Sequence, residues 1–319
     1  MAEAFVIAVV GATATGKSDL ADRLALRYRS AVISADSMQV YRGMDIGTAK
    51  LDEHSRLSPH FGIDIVEPDQ AYSAAQFQEY ARPLIERYLS REVCPIVCGG
   101  TGLYVRAALD DLHFPAGDQV GNVVRAKWTQ YADELGDEAL YRELKQRDPD
   151  SASVLHAHNR KRVIRALEMY EQGESYFEQA SHFADRTPYY PTCYIGLDIE
   201  RSELYRRINA RVDDMLAHGL VEEARTLYAH GLRDTYTARS AIGYKELFSH
   251  FEAETTLEEA INRIKRHSRR YAKRQCTWFR SDPRVQWIPA DGLDQEAVME
   301  RAIDIIEAYT AKENDETVV

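Results

Sequence analysis

The stretch that decides the fold is FVIAVVGATATGKS, residues 5–18. Its first six residues are all apolar, which is typical of a strand buried on both faces of a parallel sheet. The remaining eight fit the pattern G-x-x-x-x-G-K-[ST], and a helical pattern follows them. Glycines in such a loop let backbone N–H groups turn toward phosphate oxygens, and the helix adds the positive end of its dipole. The stretch therefore predicts a phosphate-binding loop.

Outward from this loop, strand-like and helix-like segments alternate. Short apolar strands are predicted at Ala31–Ile33, Ile63–Val66 and Val93–Val97, and a helix is predicted at Ala74–Leu89. Alternation of this kind implies a parallel sheet with helices on both faces. We therefore predict an α/β fold of the P-loop NTPase type.

The pattern changes after Pro115. Residues 117–186 show helical periodicity without a convincing strand, and strand patterns return only beyond them. The sequence thus predicts an α/β core made of residues 1–116 and 187–319. Residues 117–186 would form an all-helical insertion.

Basic side chains are concentrated in two segments, although the whole chain carries a net charge of −11. Residues 263–280 contain eight Lys or Arg and no acid, and residues 159–165 contain four more. The first segment lies in a long predicted helix that a capping-box pattern, Thr256 to Glu259, begins. Because a local basic face attracts a phosphate backbone, the net charge does not exclude a nucleic-acid partner.

No apolar run approaches the ~20 residues that a membrane span requires. The four cysteines include no CxxC pair, and the histidines lack metal-ligand spacing. We expect reduced thiols, a cytoplasmic location, no membrane contact and a monomer that requires no protein partner.

Two further segments are expected beside the loop, because ligands bind at the carboxyl ends of the strands in doubly wound sheets. Asp36 follows the strand at Ala31–Ile33, and Gly99–Gly102, which contains Thr101, follows the strand at Val93–Val97. Topology places Asp36 toward the phosphate loop, although a turn or N-cap residue would also fit. Since Asp36 could serve as a Walker-B carboxylate, an ATP-dependent kinase or NTPase is one alternative.

Six segments closely resemble the tRNA dimethylallyltransferase family, whose members are also called tRNA isopentenyltransferases. The sixteen residues Ala35–Lys50 are far more specific for this family than the phosphate loop. The segments occur in the family's order and span nearly the whole chain: Gly11–Ser18, Ala35–Lys50, Gly99–Tyr104, Arg162–Glu168, Gly243–Glu246 and Arg270–Trp278.

The resemblance implies transfer of a dimethylallyl group from dimethylallyl diphosphate to N6 of the adenosine 3′-adjacent to the anticodon, in tRNAs reading codons that start with U. It implies Mg²⁺ as cofactor, held at Ser18, and Asp36 as the general base. Thr101 would contact the same amino group, and Lys17 and Arg211 would stabilise the leaving diphosphate. The implied diphosphate site is the whole loop: Gly11, Ala12, Thr13, Ala14, Thr15, Gly16, Lys17 and Ser18.

The resemblance also implies the tRNA anticodon stem-loop as partner, bound by the helical insertion and the basic helix. The target base must leave its stack to reach the site, and aromatic rings such as Tyr244 and Trp278 would stack on splayed bases. The implied tRNA contacts are Asp36, Ser37, Met38, Gln39, Thr101, Arg125, Lys161, Arg162, Arg165, Gly243, Tyr244, Lys245, Lys273, Arg274, Gln275, Trp278 and Arg280.

The chain departs from the family pattern at His156–Asn159, which reads His-Ala-His-Asn where the family commonly has His-Pro-Asn-Asp. Any contact made by that carboxylate is therefore missing here. Two more alternatives stand beside the kinase. An adenylate isopentenyltransferase acting on free nucleotide would require neither the insertion nor the basic helix. A non-catalytic RNA-binding module would give no reason for Asp36 beside a phosphate loop.

Overall fold

The computed structural model of the protein describes residues 4–114 and 121–316, the side chains of the second range being described as far as residue 312. Within these ranges one sheet of six parallel strands is found, in the order β3-β2-β4-β1-β5-β6. The predicted parallel α/β sheet is confirmed. The strands are β1 (Val6–Val10), β2 (Val32–Ser34), β3 (His60–Phe61), β4 (Ile96–Gly99), β5 (Thr192–Asp198) and β6 (Val285–Pro289).

Helices connect and cover the strands. The long helix predicted from the capping box is present, since Thr256 and Glu259 each accept a hydrogen bond from the other's backbone N–H. In chain order, the helices of the described residues are α1 (Lys17–Arg27), α2 (Ala74–Leu89), α3 (Gly102–Leu109), α4 (Val123–Leu135), α5 (Asp137–Arg147), α6 (Pro149–Ser153), α7 (Arg160–Glu171), α8 (Tyr176–Asp185), α9 (Arg201–Ala217), α10 (Leu220–Ala229), α11 (Tyr244–Phe251), α12 (Leu257–Arg280) and α13 (Gln295–Glu316).

β1 is the central strand, and all five of its residues are fully buried. Its β-branched side chains pack on both faces, as expected for a parallel strand that helices cover on each side. The chain runs outward from β1 through β2 to β3, returns to β4 and then crosses to β5 and β6. The connections therefore leave in opposite directions at β1 and β4, which is where doubly wound sheets bind ligands.

The strand predicted at Ile63–Val66 is wrong. The strand in this part of the chain is the shorter β3, and Val66 makes only an isolated bridge with Tyr41. Gly62 and Asp64 have left-handed backbones, with φ of +78° and +55°, and these two residues break the extended run.

The chain divides into two compact units, one made of residues 1–109 and 189–319 and the other of residues 110–188. The second unit contains α4 to α8 around its own core, which includes Trp128 and Leu140. The boundary predicted between residues 116 and 117 lies outside the described residues. None of the helices in the described ranges is long and apolar enough to cross a bilayer.

Candidate active site

Adjacent strand ends place three chain segments side by side at one edge of the sheet. β1 lies between β4 and β5, β4 also pairs with β2, and Val10 at the end of β1 is paired with Gly99. The phosphate loop, Asp36 and Thr101 follow these strand ends directly. The backbone N–H of Thr101 donates to the carbonyl oxygen of Ala35 at 3.3 Å, which ties the last two segments together.

Gly99 makes this close approach possible. A Cβ built on Gly99 would lie only 2.1 Å from the carbonyl oxygen of Ala35. Any side chain there would push the segment that carries Asp36 away from β4. The glycine in this position is therefore part of the site's geometry.

The phosphate loop has the backbone of an anion-binding cradle. Gly11, Ala14 and Gly16 have left-handed backbones, with φ of +147°, +65° and +93°. Where left-handed and right-handed backbone conformations alternate, successive N–H groups turn toward a common centre. The first turn of α1 adds N–H groups that have no partner within the helix. The Thr15 hydroxyl donates to the Ala12 carbonyl at 2.9 Å, so this hydroxyl fixes the loop's own shape.

Two cations lie against the loop. Lys17 Nζ donates to the Ala12 carbonyl at 3.2 Å, and Arg211 Nη1, from α9, donates to Thr13 Oγ1 at 3.3 Å. Burial lowers the pKa of Lys17 and that of Arg211, and Arg211 lowers the pKa of Lys17 further, while nearby Asp36 opposes both shifts. An anionic ligand in the cradle would offset the cost of burying these two charges.

Asp36 is half-buried and held on one side. Its Oδ1 accepts a hydrogen bond from the backbone N–H of Met38 at 2.9 Å. Thr101 Oγ1 accepts from the Ser37 N–H at 3.0 Å and lies 3.3 Å from the Ser37 hydroxyl. The structure thus brings Asp36, Ser37 and Thr101 together, as the sequence predicts.

Asp36, Ser37 and the two cations face one cavity of about 300 Å³. Thr13, Lys17, Asp36 and Arg211 line its polar side. A volume of this size suits a small ligand. Its apolar lining comes from α9, from the first residue of α10 and from α12: Ile208, Val212, Met215, Leu220 and Ile264.

The sequence did not single out these apolar residues, nor Tyr271 and Ser268 on the cavity wall. Burial raises the pKa of the Tyr271 hydroxyl to about 12. Ser268, Tyr271 and Gln275 follow the three-and-four spacing of one helix face. That spacing is visible in the sequence and could have predicted the face of α12 that lines the cavity.

Several residues expected to contact tRNA lie at this cavity. Met38, Gly243, Lys245 and Arg274 line it. Gln39 does not line it, because its amide is used internally: Oε1 accepts from the Ser34 hydroxyl at 2.8 Å, and Nε2 donates to the Thr48 carbonyl at 3.2 Å.

Tyr244 requires a correction. Its ring was expected to stack on an RNA base, but the residue is fully buried. A Cβ on Gly47 would lie 2.5 Å from this ring, so the ring packs directly against that glycine. The Tyr244 hydroxyl donates to Glu223 at 2.6 Å. Tyr244 therefore supports the segment that contains Gly47. The sequence alone could not distinguish a buried tyrosine in this role from an exposed one that binds RNA.

Glu223, on α10, is another residue that the sequence analysis missed. Its Oε2 accepts from the N–H groups of Asp45 and Ile46 at 3.0 and 2.8 Å, and its Oε1 accepts from the Gly47 N–H at 3.0 Å. Three consecutive backbone donors on one carboxylate fix the conformation of this segment. Gly47 lines the cavity, so Glu223 holds part of the cavity wall in place.

Toward the end of α12, Lys273, Trp278 and Arg280 are exposed. The Trp278 ring lies against Gly102, at the start of α3, where a Cβ would come within 2.0 Å of Nε1. Arg280 pairs with Asp198 at 2.7 Å. Gln275, by contrast, is buried.

In the second unit, two predicted tRNA contacts share one buried carboxylate. Arg125 donates to Glu168 Oε2 through Nε and Nη2 at 3.0 and 2.8 Å, and Arg165 donates to Oε1 at 2.7 Å. Lys161 and Arg162 are exposed on α7.

The polar groups at the loop suit a magnesium ion that is shared with a diphosphate. Among the described residues no group of three or more His, Cys, Asp or Glu is arranged to hold a metal. Mg²⁺ does not need such a group, because it commonly binds one or two protein oxygens together with water and substrate phosphate oxygens. The Ser18 hydroxyl, in the first turn of α1 beside the cradle, is an oxygen donor of this kind.

Comparison with known proteins agrees with this geometry. Residues 39–282 match the family model described as IPP transferase, and residues 4–56 match the model described as isopentenyl transferase. A tRNA dimethylallyltransferase of Geobacillus thermodenitrificans is 46% identical, over 92% of this chain and 93% of that protein. Another, from Heliobacterium modesticaldum, is 44% identical over 93% of both.

The solved structures that this chain resembles are also tRNA-modifying transferases of this kind. The tRNA isopentenylpyrophosphate transferase of Bacillus halodurans is 40% identical, with a TM-score of 0.72 over 99% of this chain and 100% of that chain. A eukaryotic dimethylallyltransferase acting on tRNA is 28% identical, with a TM-score of 0.81 over 96% of this chain and 79% of that chain. The family resemblance seen in the sequence is confirmed: the chain belongs to the tRNA dimethylallyltransferase family.

Proposed function

We propose that the protein transfers a dimethylallyl group from dimethylallyl diphosphate to N6 of the adenosine 3′-adjacent to the anticodon, in tRNAs reading codons that start with U, and releases diphosphate. The observation that carries the proposal is one cavity lined by a phosphate loop, the carboxylate of Asp36 and an apolar wall. The cradle suits a diphosphate, the apolar wall suits a prenyl chain, and the carboxylate suits an amino group that must lose a proton.

The proton transfer falls to Asp36. The N6 amino group of adenine is a weak nucleophile, because its lone pair is delocalised into the ring. As the C–N bond to the dimethylallyl carbon forms, the C–O bond to the diphosphate breaks, and the N6 proton passes to Asp36. Oδ1 is held by the Met38 N–H, and none of the residues within 4–114 and 121–316 donates a hydrogen bond to Oδ2. Oδ2 is therefore the oxygen we assign as the base.

The leaving diphosphate acquires negative charge, which Lys17 and Arg211 would stabilise. Both side chains are already hydrogen-bonded to the loop, at Ala12 and Thr13, so they need little rearrangement when the charge develops. We include Mg²⁺ as cofactor, held at Ser18, where it would neutralise charge on the diphosphate oxygens.

The tRNA anticodon stem-loop is the proposed partner. Support comes from the exposed cations Lys161, Arg162 and Lys273 and from Lys245 and Arg274 at the cavity itself. Cations at these places would hold the RNA backbone, while the flipped adenine enters the cavity beside Asp36. The four cysteines are free thiols, which fits a proposed cytoplasmic location.

The experiment incubates the whole protein with dimethylallyl diphosphate, Mg²⁺ and unmodified tRNA, and analyses the nucleosides by mass spectrometry. We expect a prenylated adenosine from tRNA and none from free AMP. Prenylation of AMP alone would favour the free-nucleotide alternative. Prompt hydrolysis of ATP without prenyl donor would favour the kinase or NTPase alternative.

The variant that tests the mechanism is Asp36→Asn, which keeps the shape of the side chain and removes the base. We expect transfer to fall by about 10²- to 10⁴-fold, while inorganic diphosphate still binds. Full activity in this variant would remove the general-base assignment.

A further inference from the structure

Gln275 lies in the segment of α12 that was expected to contact tRNA, yet only 4% of it is exposed. Its side chain joins two loops of the active site instead. Oε1 accepts a hydrogen bond from the Thr13 N–H of the phosphate loop at 2.9 Å. Nε2 donates to the carbonyl oxygen of Gly100, in the turn after β4, also at 2.9 Å.

The two partners fix which way the amide points. The Thr13 N–H can only donate, and the Gly100 carbonyl can only accept, so each end of the amide has one possible partner. A glutamate could accept from Thr13 but could not donate to Gly100. A lysine or arginine could donate but could not accept. This position therefore requires an amide, because the side chain must both accept and donate. A residue that only contacted RNA phosphate from the surface would not need to be an amide.

Gly100 provides the space for this bridge. A Cβ built on Gly100 would lie 2.1 Å from Nε2 of Gln275, so the amide occupies the volume that a side chain would fill. The backbone of Gly100 is outside the left-handed region, and so its conformation alone does not demand glycine. The bridge gives the physical reason for glycine here.

The bridge extends to the acceptor side of the cavity. Thr101, the residue after Gly100, donates its backbone N–H to the carbonyl oxygen of Ala35 at 3.3 Å. Thr101 in turn accepts from the N–H of Ser37, next to Asp36. Since Gly100 and Thr101 are consecutive in the chain, these bonds connect the phosphate loop, through Gln275, to the segment that carries Asp36.

We propose that Gln275 is a positioning residue, which holds the phosphate loop at a fixed separation from the turn after β4 and so aligns the diphosphate with Asp36. This inference rests on the proposed function and refines one part of it, since Gln275 acts on the donor site and does not contact tRNA. Without the amide, two backbone groups lose their partners in a buried place, and the loop that carries Thr13 relaxes.

The test uses Gln275→Leu in the full chain, with two separate probes. Inorganic diphosphate with Mg²⁺, followed by calorimetry, reports on the donor site. A fluorescent anticodon stem-loop, followed by anisotropy, reports on RNA binding. We expect diphosphate affinity to fall about tenfold or more and kcat to fall with it, whereas stem-loop affinity stays unchanged. Lys273→Gln is the matched control on the same helix and should give the reverse pattern, with weaker RNA binding and unchanged diphosphate binding.

A second route reaches the same bridge. Gly100→Ala must displace the Gln275 amide, so it should reproduce the loss of diphosphate affinity. In the Gln275→Ala background the clashing amide is gone. Gly100→Ala should therefore reduce diphosphate affinity less in that background than it does in the wild type. An equal loss of diphosphate affinity from Gly100→Ala in the two backgrounds would contradict the bridge.

The outcomes separate this inference from the proposed function. A wild-type protein that does not bind diphosphate would overturn the proposed function itself. Two outcomes would overturn only the positioning role. In the first, wild type binds diphosphate and Gln275→Leu binds it with the same affinity. In the second, Gln275→Leu loses stem-loop affinity alone. Equal loss of both affinities with a lower melting temperature would also overturn it, because a merely structural residue behaves in that way.

Discussion

Glu168→Gln, in α7, is a substitution whose effect can be worked from the structure. The Glu168 carboxylate is only 1% exposed and accepts hydrogen bonds from Arg125, Arg165 and Asn122. The bonds from Arg125 and Asn122 join α7 to α4 and to the residue that caps α4 within the second unit, and the bond from Arg165 lies within α7. The variant keeps the size of the side chain but removes the charge that balances two arginines, and its new NH₂ group faces donors.

Removing one partner of a buried ion pair costs about 3–5 kcal/mol. The two arginine side chains are 25% and 27% exposed, so water compensates part of this loss. We therefore expect the free energy of unfolding to fall by about 3 kcal/mol, at the lower end of that range.

Glu171→Gln, one turn further along α7, is the matched control. Glu171 is 24% exposed and pairs with Lys127, which is 57% exposed, and its Oε1 also accepts from the Trp128 indole N–H at 3.0 Å, a bond that the glutamine side chain can keep. Because the lysine partner lies in solvent, the ion pair itself contributes about 1 kcal/mol or less. The measurement is urea denaturation followed by far-ultraviolet circular dichroism. Equal losses in the two variants, or a loss below about 1 kcal/mol in Glu168→Gln, would refute the reasoning.

The same variant tests how Arg125 and Arg165 take part in RNA binding. Glu168→Gln removes a negative charge, so a simple charge count predicts tighter binding of a stem-loop RNA. If the carboxylate instead orients the two guanidinium groups, binding weakens. We expect weaker binding, and tighter binding would show that orientation by Glu168 does not matter.

Two further predictions concern stability and the cavity wall. Asp22 is buried in α1; burial alone would raise its pKa, but hydrogen bonds from the Leu57 N–H, Ser58 and His60 hold the pKa below its ordinary value of 3.8. Asp22→Asn should therefore unfold more easily at neutral pH, and its difference from wild type should shrink as the pH falls below 3.8 through the folded-state pKa; a gap independent of pH would contradict this. Glu223→Gln should lower stability by about 1–3 kcal/mol in thermal unfolding and raise the KM for the prenyl donor, because Gly47 loses its support, whereas Glu222→Gln, exposed on the same helix, should do neither.

Much of the fold and of the reacting groups could be predicted from the sequence, because those features depend on local patterns. The run of apolar β-branched residues before Gly11 specifies a buried parallel strand, and the glycines after it specify a turn into a helix. Alternation of strands and helices then predicts a parallel sheet, whose carboxyl edge places Asp36 and Thr101 near the loop. Ile63–Val66 was predicted wrongly, because apolar composition alone does not reveal the left-handed backbones of Gly62, before this stretch, and of Asp64, within it.

The missed parts of the site depend on tertiary contacts. Glu223 lies 176 residues from Gly47 in the chain, and no local pattern links a helix glutamate to three backbone N–H groups so far away. Tyr244 sits in a motif rich in polar and basic residues, and its burial follows only from packing against that same glycine. In both cases the chemistry of the residue is visible in the sequence, whereas its partner is not.

Helix α12 shows how one segment can serve two substrates at once. Its buried residues include Ile264, Ala272, Gln275 and Phe279, which recur at helical spacing and turn one face of the helix toward the core. Lys273, between them in sequence, is exposed on another face. If the buried face fixes the donor site and the exposed face holds RNA, then substitutions should sort by helix face and not by position along the chain. Neighbours such as Lys273 and Gln275 would then have opposite effects on the two ligands, and a shared effect of both residues on RNA alone would show that the helix acts only as a basic surface.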